Sequence, residues 1–138
     1  MKTVIEPNVL ASALSSRSGY HWLIELLLDE VIELYVTGEI LLEYEEILKK
    51  KYSESAASNL LVALRELPNV HDVKVYFRWD LLNDPKDNNL VDCYLAAGAH
   101  YLITHDAHFP VLRSIDLPKV NTLRIEEFKA ALEDAEWT

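Results

Sequence analysis

Residues 3–10 read TVIEPNVL, and the fold turns on where this apolar run stops. Thr3, Val4 and Ile5 form a run without alternation, the pattern of a short strand covered on both faces. Glu6 and Pro7 end it abruptly, because proline cannot donate to a strand ladder. A strand buried on both faces belongs to a parallel sheet between helices, provided that the rest of the chain alternates strands with helices.

It does. Tyr20–Ile32 carries apolar residues at helical spacing (Trp22, Leu23, Leu26, Leu27 and Val31). Leu34–Val36 reads as a second strand, and Thr37 as the N-cap of a helix over Glu39–Tyr52, with Ile40, Leu41, Tyr44, Ile47 and Leu48 as its core stripe. Another helix spans about Glu54–Leu67 and stops at Pro68. Val73–Phe77 alternates as a strand does, and Asp84-Pro85 reads as cap and first residue of a helix reaching Gly98. Tyr101–Thr104 is a strand, His108–Ser114 a short helix, Val120–Leu123 a strand and Ile125–Leu132 a last helix. The expected fold class is therefore α/β, a mainly parallel central sheet with helices on both sides, in one domain over residues 1–138. In such sheets the ligand crevice lies beyond the carboxyl ends of the strands.

The formal net charge is −10, from 13 basic and 23 acidic residues. That balance argues against indiscriminate nucleic-acid binding, since phosphate affinity is carried by Lys and Arg. A single cysteine, Cys93, forms no internal disulfide and fits a reducing cytoplasm. No window is apolar enough for a membrane span. The expectation is a cytoplasmic protein without a membrane partner.

Chemistry is suggested by the acids. Glu6 and Asp106 each follow an apolar strand, so both should face the crevice. Glu43 lies one residue from a core stripe, and Asp87 in the first turn of a helix. Converging carboxylates repel one another unless a cation or protons compensate. An all-carboxylate set, without cysteine or paired histidines, selects Mg²⁺ or Mn²⁺ over zinc, and metal-activated water suits phosphodiester hydrolysis. Each acid also has an ordinary reading: Asp84 and Asp87 as dipole-favoured helix starts, Glu43 as a solvated neighbour of Glu45 and Glu46, and Asp106 as a turn cap. His105 and His108 read as surface or substrate-edge residues. Asp92 reads as a solvated or helix-packing residue, and Lys49–Lys51 as cations at a helix C-terminus. Arg17, Arg78, Lys86 and Arg113 are the basic groups that could border a crevice.

The segments VIEPNVLASAL, LLEYEEIL and NDPKDNNLVDCYLAAGAHYLITHDAHF resemble the PIN-domain family, in the branch of toxin components of toxin–antitoxin pairs. The resemblance runs from Thr3 to about Phe128. It implies a three-layer α/β/α sandwich and an endoribonuclease dependent on Mg²⁺ or Mn²⁺. It also implies catalytic and metal-binding roles for Glu6, Glu43, Asp87 and Asp106, with Asn8, Ser12, Asn88 and Thr104 in support. The partners implied are an RNA substrate, a small antitoxin protein and a second copy in a homodimer. Where the family has Asp-Thr this chain has Glu6-Pro7, so a catalytically weakened PIN-fold module that binds RNA or protein is the alternative reading.

Overall fold

The computed structural model describes residues 1–105 and 109–136. Asp106 and His108 lie outside the described residues, and so does the side chain of Arg113. Twelve elements follow in order: β1 (Lys2–Ile5), α1 (Pro7–Ala13), α2 (His21–Leu28), β2 (Glu33–Val36), α3 (Gly38–Lys51), α4 (Glu54–Glu66), β3 (Val70–Asp72), α5 (Pro85–Ala97), β4 (Tyr101–Ile103), a 3-10 turn (Phe109–Ser114), β5 (Thr122–Leu123) and α6 (Ile125–Glu136).

The five strands pair in parallel, in the order β3-β2-β1-β4-β5. The chain steps outward from β1 to β3, then crosses back to β4 and β5. Because parallel crossovers are right-handed, this reversal puts α1–α4 over one face and α5 over the other. Contacts agree: α3 packs on α1 and α4, while α5 packs on β1, β2 and β4. Val4, Ile5, Leu34, Val36, Leu102 and Ile103 are buried between the layers, as the non-alternating runs require. The three-layer α/β sandwich is the expected one. No helix among the described residues is long and apolar enough to cross a membrane.

Local signals set the element ends. The Thr37 hydroxyl accepts from the Ile40 N–H at 3.2 Å, the expected N-cap. Gly98, at φ 63°, closes α5 while Ala99 N–H reaches the Tyr94 carbonyl and Gly98 N–H that of Leu95, the two bonds of a Schellman motif. The helix expected over Tyr20–Ile32 is shorter at both ends. It stops at Leu28 because Glu30 takes a left-handed φ of 61° and the same two bonds form, Val31 to Leu26 and Glu30 to Leu27.

One strand is displaced. Val73–Phe77 is not a strand; β3 occupies Val70–Asp72 instead. Among the described residues its only neighbour is β2, which ends at Val36 and turns into α3. The Val73 N–H donates to the Val36 carbonyl at 2.8 Å, and beyond it no strand among the described residues remains to pair with. Likewise β5 is confined to Thr122–Leu123 within the expected Val120–Leu123, because β4, its partner, is short.

At the sheet centre, the fully buried Tyr44 of α3 donates its hydroxyl to the Ile5 carbonyl at 2.6 Å. Tyr44→Phe leaves that buried carbonyl without its partner and is expected to cost about 1–2 kcal/mol of stability. Urea denaturation of the two proteins measures the difference.

Candidate functional site

The switch point of the sheet lies between β1 and β4, where strand order reverses, and the site is built there. Register places Ile5 opposite Ile103, so the next residues, Glu6 and Thr104, emerge side by side. The Glu6 N–H donates to the Ile103 carbonyl at 2.9 Å, and the Thr104 hydroxyl donates to Glu6 Oε2 at 2.7 Å. Glu6 is only 6% exposed. It is also the N-cap residue of α1, with Pro7 at the first helical position and the Leu10 N–H on its carbonyl. Proline costs nothing there, since the first helical N–H has no partner within the helix. Pro7 is thus accommodated as a helix start.

Glu6, Glu43 and Asp87 line one cleft of about 200 Å³, together with Pro7, Asn8, Glu46, Ile47, Asp84, Lys86 and Leu90. Three separate elements bring these acids together: the end of β1, the second turn of α3 and the first turn of α5. Among the described residues, no three His, Cys, Asp or Glu side chains converge closely enough to hold a metal ion. The three acids share walls of one cleft rather than a single point. Asp106, the fourth sequence-predicted acid, lies outside the described residues.

The cleft wall is strongly acidic, with Lys86 its one cation among the described residues. Half-buried Glu43 registers this. Burial pushes its carboxyl above the ordinary range, and the nearby carboxylates Asp84 and Asp87 push the same way. Lys86 and a hydrogen bond from Asn89 work against them. Glu43 is therefore a cleft residue, not a solvated companion of Glu45 and Glu46. Those two pair along the helix with Lys49 and Lys50, at 2.9 and 3.3 Å, which accounts for two of the three lysines in the run. Asp84 is the α5 cap, its Oδ1 accepting from the Lys86 N–H at 2.9 Å, and it also faces the cleft.

The supporting residues divide. Thr104 holds Glu6, and Asn8 lies exposed on the cleft wall. The Ser12 hydroxyl gives its proton to the Val9 carbonyl at 2.8 Å, so Nε2 of His105 is the donor in their 3.1 Å contact. His105 rests on the ring of Tyr20, 5.6 Å between centroids, and burial lowers its pKa. Its part is to tie α1 to the end of β4. Asn88 is absent from the acidic cleft's lining. Its side chain is buried and bonded to the Leu82 backbone, Oδ1 accepting at 2.9 Å and Nδ2 donating at 2.7 Å. Asp92 is buried rather than solvated, accepting the Trp79 N–H at 3.0 Å. Glu46 and Asp84 are cleft groups that sequence spacing did not single out as such, and Asn89 hydrogen-bonds Glu43 without lining the cleft.

A second cavity of about 550 Å³, lined by Leu81, Leu82, Asn83, Asp84, Asp87 and Val111, adjoins the acidic cleft through Asp84 and Asp87.

No curated protein matches the sequence significantly. Among solved structures, the fold is similar to a chain of VapBC2 from Rickettsia felis, crystallised bound to a DNA fragment from the promoter of that pair. The TM-score is 0.63, at 15% identity, over 90% of this chain and 98% of the other. The sequence profile described as the PIN domain matches residues 2–108. That match spans most of the chain, and with a parallel sheet whose switch point carries an acidic cleft, it shows that this protein belongs to the PIN-domain family.

Proposed function

We propose that the chain is an endoribonuclease of the PIN type, acting with Mg²⁺ or Mn²⁺ as one domain, and the toxin of a toxin–antitoxin pair. The observation that carries this reading is the cleft itself: Glu6, Glu43 and Asp87 come from three elements to one wall at the sheet's switch point. The donor set is all oxygen, which fits a hard divalent ion. Glu6, Glu43, Asp87 and Asp106 would hold the metal, which when bound would activate water and steady the leaving oxygen of a phosphodiester. The chain's own groups do the positioning. Thr104 fixes Glu6, Asn89 and Lys86 steady Glu43, and the α5 cap presents Asp87. The similarity in fold to VapBC2, a toxin–antitoxin pair, supports a small antitoxin as partner; a homodimer and a cytoplasmic setting belong to the same reading.

The alternative is a catalytically weakened PIN module that binds RNA or protein, and one observation favours it. Glu6 stands where the family resemblance places Asp, and its longer side chain moves the carboxylate oxygens. A misplacement of about 1 Å can cost roughly 10²-fold in rate.

Cleavage of single-stranded RNA with Mg²⁺ or Mn²⁺, compared among the native chain, Asp87→Asn and Glu6→Asp, decides between them. The proposal expects native cleavage that falls at least about 100-fold in Asp87→Asn, more than is usual for losing a group that merely orients a ligand. An inert native chain with an active Glu6→Asp selects the weakened module. No cleavage by any of the three with metal present sinks the enzyme reading.

A second expectation needs no activity. Folding raises the Glu43 pKa, so the native state binds that proton more tightly and loses stability as pH rises above the ordinary value of 4.5. Glu43→Gln should accordingly be more stable than the native chain at pH 7 without metal, the gap closing in acid. Adding Mg²⁺ should stabilise the native chain and not the variant. Thermal melts at pH 4 and pH 7, with and without Mg²⁺, measure both.

A further inference from the structure

The cavity of about 550 Å³ beside the acidic cleft shares Asp84 and Asp87 with it as common wall. Its other walls are Leu81, Leu82 and Asn83, from the loop before α5, and Val111, from the 3-10 turn after β4. That volume suits a small organic group rather than a bare ion. Half of the lining residues are apolar, and the fold leaves Val111 exposed. Among the described residues no cation lines the cavity.

Its loop wall is built, not slack. The buried Asn88 grips the Leu82 backbone at both groups, Oδ1 accepting the N–H at 2.9 Å and Nδ2 donating to the carbonyl at 2.7 Å. Asp84 is fixed as the α5 cap by the Lys86 N–H, and its carbonyl accepts the Asn88 N–H at 3.0 Å. Asn83 is thus carried between two pinned residues. Its exposed side chain enters no hydrogen bond among the described residues, which leaves an amide oxygen and two N–H donors on the wall. Asn88, expected from the family resemblance to support the acids, supports this wall.

We infer that this cavity is a subsite for one unpaired RNA base, adenine or cytosine, on the nucleotide beside the phosphate at the acids. The inference rests on the ribonuclease reading and names the base which that site recognises. A base and its phosphate are one ribose apart, and the shared Asp84 and Asp87 leave no gap between the two spaces. Phosphates and acidic side chains are repelled from the cavity by the same two carboxylates. A neutral flat ring instead packs on Leu81, Leu82 and Val111. Adenine and cytosine present an amino donor beside a ring-nitrogen acceptor. Asparagine pairs with such an edge and a carboxylate accepts from such an amino group, both recurrent contacts in base recognition. Uracil and guanine turn a carbonyl oxygen to that place, where a carboxylate has no proton to give. A cationic side chain would satisfy the carboxylates, yet it has no acceptor for the Asn83 N–H groups, which a ring nitrogen supplies.

The test begins without metal, so that cleavage plays no part. Amide NMR spectra of the isotope-labelled full chain are followed as cytidine, adenosine, uridine, ribose 5-phosphate or arginine amide is added. Cytidine and adenosine should shift the amides of Leu81–Asn83 and Val111, and should bind at least about fivefold more tightly than uridine. Ribose 5-phosphate should leave those amides in place. Asn83→Ala should weaken nucleoside binding at least about fivefold, and so should Asn83→Asp, which keeps the shape and removes the donors. Asn83 is exposed, so circular dichroism should show the fold unchanged. No shift with any nucleoside, an equal response to uridine, or unchanged binding in both variants overturns the inference. So does a response to arginine amide alone, which makes the cavity a pocket for a protein partner's side chain. A random-sequence RNA pool is then cut with Mg²⁺ and the ends are sequenced. Adenine or cytosine should be enriched at one position beside the cut with the native chain and not with Asn83→Ala; cleavage without that preference removes the subsite alone. No cleavage, with the nucleoside results intact, removes the ribonuclease reading alone.

Discussion

The hydrogen bond from Tyr44 to the Ile5 carbonyl joins the two halves of the cleft. Tyr44 follows Glu43 in α3, and Ile5 precedes Glu6 in β1. One contact between neighbours therefore sets how far apart the two acids stand. It forms in a fully buried environment, where an unmet carbonyl is expensive and a helix cannot slide without exposing it. Thr104 does the same work from the other side, holding the Glu6 carboxylate itself. Switch-point geometry opens the crevice, and these two hydroxyls fix which acids look into it.

The cleft so formed works against the fold. Carboxylates of Glu6, Glu43, Glu46, Asp84 and Asp87 line it with Lys86 as the one cation among the described residues, and the Glu43 carboxyl is raised first by burial and then by Asp84 and Asp87. Local capping offsets a part of it. Asp84 is tied to the Lys86 N–H and sits with Asp87 at the positive end of α5. Acids placed for a helix start are thereby also placed for the cleft. For Asp87, a helix-start position and a place on the cleft wall do not compete.

Most of the architecture was legible in the sequence, because non-alternating apolar runs, Asp84-Pro85, Thr37 and Gly98 each act through local chemistry. Two kinds of feature were not. Val73–Phe77 has a strand's pattern but no strand beside it, and the lack of a partner depends on where β2 ends. Asn88 and Asp92 look like surface polar residues of a helix, yet each is buried against backbone groups of a loop six to thirteen residues upstream. Such partners have no period. Likewise α1, which begins directly after Glu6, was hidden because Pro7 and Asn8 read as the stop of a strand. The same proline is the start of a helix.

That start bears on the departure at position 6. A glutamate in place of aspartate adds a methylene and a rotatable bond, and its first expected penalty is mobility. Here the side chain is 6% exposed, its backbone is held by Ile103 and Leu10, and Oε2 receives the Thr104 hydroxyl. The additional rotor is frozen by packing that is present before any ligand arrives. What remains is reach: the oxygens stand one carbon–carbon bond further from the backbone than an aspartate's would. The cleft accommodates that length only if the opposing acids stand correspondingly back, and Glu43, itself a glutamate set by the Tyr44 anchor, is the wall that decides it.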